Sequence, residues 1–276
     1  MKLFLSIFFA VSLTLACAEP APGIRSEVVP FTDVEWLQLN PARGDKSPRA
    51  GTLYGDRGEP GPTGFLLWPV DGFESPPHIH NVAYRGVVIR GLIHNDDPAA
   101  AKMWMPAGSF WTQPAGESHI TAARGAETLA FIEIDDGPFQ VRPAAEAFDD
   151  GERPVNVDVS NLVWLDGADL ARIKTGSDDG PRLAFVWGRP RAGQLNGSLL
   201  RLPAGYKGKI RGHGSILRAV VITGRIDYRG PGRGESVSLD PGSYFSATGA
   251  STHEISVASG GESMIYIRTR GTFDVM

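Results

Sequence analysis

The chain repeats its own spacing. Gly55 to Gly64 is the same step as Gly188 to Gly197, Gly64 to His80 the same as Gly197 to His213, and Gly72 to Gly91 the same as Gly205 to Gly224. Further on, Gly108 to His119 matches Gly242 to His253. The flanks agree: Val34-Glu35-Trp36-Leu37 answers Leu162-Val163-Trp164-Leu165, and Gly125-Ala126-Glu127-Thr128-Leu129 answers Gly260-Gly261-Glu262-Ser263-Met264. Identity is low but the intervals hold, which is the mark of one structural unit used twice. Residues 31–150 and 160–276 are therefore expected to form two copies of one domain, joined through the polar, Pro-bearing stretch from Phe148 to Val159.

The repeated unit reads as β. Thirty-four Gly and 21 Pro make up a fifth of the 276 residues, favouring tight turns and short strands. No stretch sustains helical apolar spacing. Segments such as Val87-Val88-Ile89-Arg90, Leu129-Ala130-Phe131-Ile132-Glu133 and Met264-Ile265-Tyr266-Ile267-Arg268 read as alternating strands. The net charge is −4 and no block of Lys and Arg could neutralise a row of phosphates, which argues against a nucleic-acid partner.

The N-terminus differs in kind. Lys2 followed by an apolar run from Leu3 to Leu13 is too short for a comfortable membrane span and reads as a secretory signal over residues 1–18. The protein is thus expected to be exported, either periplasmic or attached to the bacterial envelope. Ala16-Cys17-Ala18 offers a cleavage site before Glu19. Leu13-Thr14-Leu15-Ala16-Cys17 instead resembles a lipobox, which would make Cys17, the only cysteine, the site of a lipid anchor. Residues 19–30, with Pro20, Pro22 and Pro30, read as an extended tether with no core of their own.

The chemistry lies in the first copy. It contains Gly72, five residues, His78-Ile79-His80, three residues, Tyr84, six residues and Gly91; a second block runs Gly108, five residues, Pro114-Ala115-Gly116, two residues and His119. Residues two apart on a strand face the same side, so His78 and His80 project together. The Pro-Ala-Gly turn can deliver His119 toward the same point. Three imidazoles suit a divalent transition metal, with iron, zinc, nickel and copper all open. They also leave a coordination position free, as catalytic sites do.

These two blocks resemble the signatures of the cupin superfamily, Gly-x5-His-x-His-x3-Glu-x6-Gly and Gly-x5-Pro-x-Gly-x2-His-x3-Asn. Every spacing matches; Tyr84 stands in place of the Glu ligand and Ala123 in place of the terminal Asn. The resemblance implies an all-β protein of two tandem cupin (jelly-roll) barrels with a metal on His78, His80 and His119. Loss of the Glu resembles the three-histidine branch that includes acetylacetone-type dioxygenases and anti-sigma-factor cupins. Tyr84 is then either a catalytic candidate, hydrogen-bonding bound water or substrate, or a packing residue. Glu74 and Glu117 flank the ligands and read as solvated loop carboxylates.

In the second copy the corresponding positions hold Arg211, His213, Leu217 and His253, and the turn is Thr248-Gly249-Ala250. Arg offers no lone pair to a metal, so this reads as a degenerate site. Arg211 either binds a carboxylate inside the barrel or serves as scaffold, with His213 and His253 as leftover ligands packed beside it. Two functions follow: a metal-dependent, dioxygenase-like enzyme acting on a small organic substrate, or a non-catalytic envelope module that binds or senses a small molecule. The resemblance also implies a homodimer paired through sheet edges.

Overall fold

The computed structural model describes residues 23–174 and 179–276. The signal segment, Cys17 and the start of the tether lie outside the described residues. The protein is all-β, with its strands paired antiparallel in two jelly-roll units. The larger sheet of the first unit has seven strands, in the order Val155–Val157, Phe110–Gln113, Tyr84–Asp96, Ile120–Ile134, Thr63–Trp68, Arg49–Tyr54 and Trp36–Gln38. A short ribbon of His78–His80 with Val141–Pro143 lies apart from it. The second unit has a six-stranded sheet containing Tyr244–Thr248, Ile216–Thr223, Ser263–Arg270, Leu195–Leu202 and Arg182–Gly188, and a five-stranded sheet containing Ser251–Val257 and Lys207–Gly212.

Three apolar cores stack in this arrangement. Phe65, Val88, Trp111 and Ile132 fill the first barrel, and Leu200, Ile210, Phe245 and Ile265 the second. Between them Leu66, Val87 and Phe131 of the seven-stranded sheet meet Leu199, Val220, Tyr244 and Tyr266 of the six-stranded sheet. Successive residues of a strand face opposite sides, so Phe65 enters one core and Leu66 the next. The runs read above as alternating are therefore apolar on consecutive residues because both faces of these strands are buried.

Two strands depart from the expected boundaries. Ser26–Val29, within the expected tether, pairs with Tyr244–Ala247 and forms one edge of the six-stranded sheet of the second unit. An unpaired sheet edge offers hydrogen-bonding groups that a strand can satisfy, and the short segment before the first barrel reaches the edge of the second. Likewise Val155–Val157, within the expected linker, pairs with Phe110–Thr112 at the edge of the seven-stranded sheet.

Candidate metal centre

His78 and His80 lie on the short ribbon, and the backbone of His78 exchanges both hydrogen bonds with that of His119, at 3.1 and 3.0 Å. The turn before His119 needs its glycine: Gly116 has φ of 74°, and a Cβ there would meet the Phe148 carbonyl oxygen at 2.5 Å. Its N–H donates to the His80 carbonyl, tying the turn to the ribbon. The three rings thereby meet, with centroids 4.3 Å apart for His78 and His119, 5.0 Å for His78 and His80, and 5.2 Å for His80 and His119. One nitrogen from each lies within 4.8 Å of the others.

The outer nitrogens decide what the inner ones can do. The Nδ1 of His78 lies 2.9 Å from the Pro76 carbonyl, that of His80 3.0 Å from the Gln140 carbonyl, and that of His119 3.1 Å from the Glu117 carbonyl. A carbonyl only accepts, so each Nδ1 carries the proton and each Nε2 keeps its lone pair. Burial disfavours the charged form of each ring: it lowers the pKa of His78, pushes His80 well below the usual value and takes His119 down to about 3, and the closeness of the rings adds to this for His80 and His119 because two neighbouring imidazoles cannot both charge cheaply. Three neutral imidazoles with converging lone pairs are the donor set a divalent transition metal requires.

Tyr84 is buried and its hydroxyl donates to Asn95 Oδ1 at 2.8 Å, while the same oxygen stands 3.3 Å from His119 Nε2. With its proton given to the nearer Asn95, it leaves the His119 lone pair without a donor, which a cation would satisfy. Asn95 also accepts from Thr121 Oγ1 and donates to Gln113 Oε1; Gln113 in turn donates to the Glu117 carbonyl that holds His119. Sequence reasoning missed this buried circuit. Asn95 and Gln113 stand at the polar ends of otherwise apolar strands, so nothing in their immediate sequence marked them as buried. Glu74 is exposed and pairs with Lys102, away from the ligand set.

The second unit does not assemble the degenerate site expected of it. His253 faces Ile210, whereas Arg211 faces Thr252. In the first unit His78 faces His119. The aligned pairing has slipped by one residue, and a slip of one turns every side chain to the other face. Arg211 and His213 are consequently exposed, and His213 pairs with Asp274 at 3.0 Å. His253 alone is buried. Tyr228 Oη lies 2.8 Å from its Nδ1 and Ser251 Oγ 3.0 Å from its Nε2, so both ring nitrogens are satisfied.

Above the triad lies a cavity of about 770 Å³. Phe65, Leu67, Phe73, Phe139 and Trp111 supply much of its wall, and His78, His80 and Tyr84 border it. Phe139 stacks on His80 with centroids 4.2 Å apart and planes at 14°.

A jelly roll with three converging histidines, two buried and one half-buried, beside an apolar cavity defines a cupin fold with a candidate metal centre. The chain belongs to the family described as a domain of unknown function, DUF4437, whose model matches residues 27–276. Among solved structures it is similar to a candidate dioxygenase from Nostoc punctiforme (15% identity, TM-score 0.66, covering 90% of this chain and 83% of that one). It is also similar to AerE from Microcystis aeruginosa (11%, TM-score 0.55, 86% and 96%) and to a mutant of oxalate decarboxylase from Bacillus subtilis (11%, TM-score 0.54, 88% and 77%). At these identities the likeness shows the fold. A comparison with curated proteins finds no match.

Proposed function

We propose that this protein is an exported, metal-dependent cupin enzyme of the three-histidine kind, acting on a small organic substrate by dioxygenase-like chemistry. The observation that carries the reading is the set of three Nε2 lone pairs aimed together by Nδ1–carbonyl hydrogen bonds, beside a cavity large enough for a small organic molecule. A bound metal supplies Lewis-acid polarisation of an oxygen donor and, if it is iron, one-electron chemistry. The chain's own residues do the rest. Phe139 stacks on His80, Phe65, Trp111 and Ile132 give the cavity beside the histidines an apolar wall, and the Tyr84 hydroxyl, held by Asn95, offers a polar contact beside His119. The likeness to a candidate dioxygenase supports this assignment, and Tyr84 at the position of the Glu ligand resembles the three-histidine branch of acetylacetone-type enzymes.

The test is elemental analysis of protein purified without added metal, followed by dioxygen-uptake assays with diketones, hydroxy acids and phenols. One metal per chain and metal-dependent uptake with one substrate are expected. A second reading, a non-catalytic binding or sensing module, draws on the cavity lining, in which Asp56 is the one carboxylate. Tight binding of a compound without turnover under any metal would favour it. Export is tested by mass spectrometry of the mature N-terminus: lipid on Cys17 is expected, and an unmodified chain starting at Glu19 would leave a soluble periplasmic protein.

A further inference from the structure

The cavity beside the three histidines has a second polar end. Its charged lining consists of Arg43, Asp56 and Arg57. Arg57 is half-buried, with its guanidinium carbon 4.9 Å from the centre of the Phe65 ring; that of Arg43, more exposed, stands 5.8 Å from the Phe73 ring. Asp56 is the nearest opposite charge, but its Oδ1 is engaged by the Gly58 N–H at 2.8 Å. Among the described residues no carboxylate forms an ion pair with Arg57, although burial lowers its pKa. A half-buried cation with no ion-pair partner has lost part of its hydration, which an anionic ligand would replace.

Between this cation and the histidines runs an apolar track. His80 stacks on Phe139, Phe139 lies 6.0 Å from Phe65, and Phe65 lies under Arg57. A molecule spanning the track meets rings along its length, a guanidinium at one end and His78 and His80 at the other. We infer that Arg57 anchors the carboxylate of the substrate, and that the substrate is an elongated, largely apolar monoacid with an oxygen donor at its opposite end. The inference rests on the metal reading above for that donor's destination, whereas the carboxylate contact depends on Arg57 alone. A guanidinium can hold a carboxylate through two parallel hydrogen bonds, which a lysine cannot reproduce.

The test uses calorimetric titration of the mature chain, with and without zinc, against 4-hydroxycinnamate, 3-(4-hydroxyphenyl)propanoate and 8-hydroxyoctanoate, each paired with its uncharged methyl ester. Metal content is measured on every sample. At least one acid is expected to bind the wild-type protein tenfold or more tightly than its ester. Arg57→Met should erase that preference while leaving ester binding unchanged, which also shows that the variant is folded, and Arg57→Lys should restore part of it. The inference is overturned if acid and ester bind alike, if Arg57→Met weakens both equally, or if none of the acids binds at 1 mM. Should the wild-type chain take up neither zinc nor iron(II), nickel or copper, the metal reading falls, and the acid-against-ester comparison on the metal-free protein still decides the role of Arg57.

Discussion

His80 is held on two sides, by the Gln140 carbonyl at its Nδ1 and by the face of Phe139. Replacing it by Ala should abolish metal uptake, whereas His253→Ala should leave one metal per chain, since His253 contacts only Tyr228 and Ser251 through its nitrogens; elemental analysis of both variants decides it. Tyr84→Phe removes a hydroxyl but not a ligand, and Asn95 keeps the hydrogen bond from Thr121. It should retain its metal and lose ~1 kcal/mol of stability, while turnover falls if the hydroxyl touches substrate. The buried histidines also set the acid response. His78, His80, His119 and His253 all have folded-state pKa values below the usual 6.5, about 3 for His119 and about 4 for His253, chiefly through burial. The unfolded chain then binds more protons between those values and about 6.5, so stability is lost as pH falls through that window, by ~1.4 kcal/mol per pH unit for each histidine fully within it. Urea unfolding of metal-free protein between pH 6.5 and 4.5 should show this decline, and His253→Gln should make it shallower. An unchanged slope would count against His253 as a contributor.

Strands, more than residues, explain why, among the described residues, only the first unit brings three histidines together. The sequence spacing of the second copy suggests that restoring a histidine at position 211 would rebuild a ligand pair with His213. The register says otherwise, because Arg211 lies opposite Thr252 and points outward. Arg211→His should therefore leave the metal content at one per chain, and two metals would show that the slip is not maintained. The Ser26–Val29 strand makes a comparable case. It is only partly buried, yet it satisfies the backbone edge of Tyr244–Thr248. A chain beginning at Phe31 should melt at a lower temperature than one beginning at Gly23 and aggregate more readily through the bared edge, as read by thermal scanning and light scattering. Neither feature was legible beforehand. Spacing along one strand carries no record of which residue stands opposite, and a four-residue segment with prolines on both sides looks like tether until a partner edge is in place.

Across the whole molecule the two units share more than a linker. Glu133 is buried where Tyr266 donates to it at 2.7 Å, and Arg268 lies 3.6 Å away. Arg268 also reaches Asp135 at 2.7 Å, while Arg85 binds Asp135 through two hydrogen bonds and covers the Trp187 ring at 3.8 Å. Arg268→Ala would leave the Glu133 carboxylate poorly compensated, at a cost of ~3 kcal/mol. With a core shared by both sheets, denaturant unfolding should show one transition in wild type, and probes in the two units should move together; separate transitions would overturn the shared-core account. The β class and the three histidines that come together were legible in the sequence, because glycine and histidine intervals report turn geometry and strand faces locally. Which unit gathers three histidines, where the outer strands pair, and that a buried ion network joins the units became visible in the folded arrangement. Those outcomes depend on cross-strand register and on sheet faces meeting across long separations, and no local spacing encodes either.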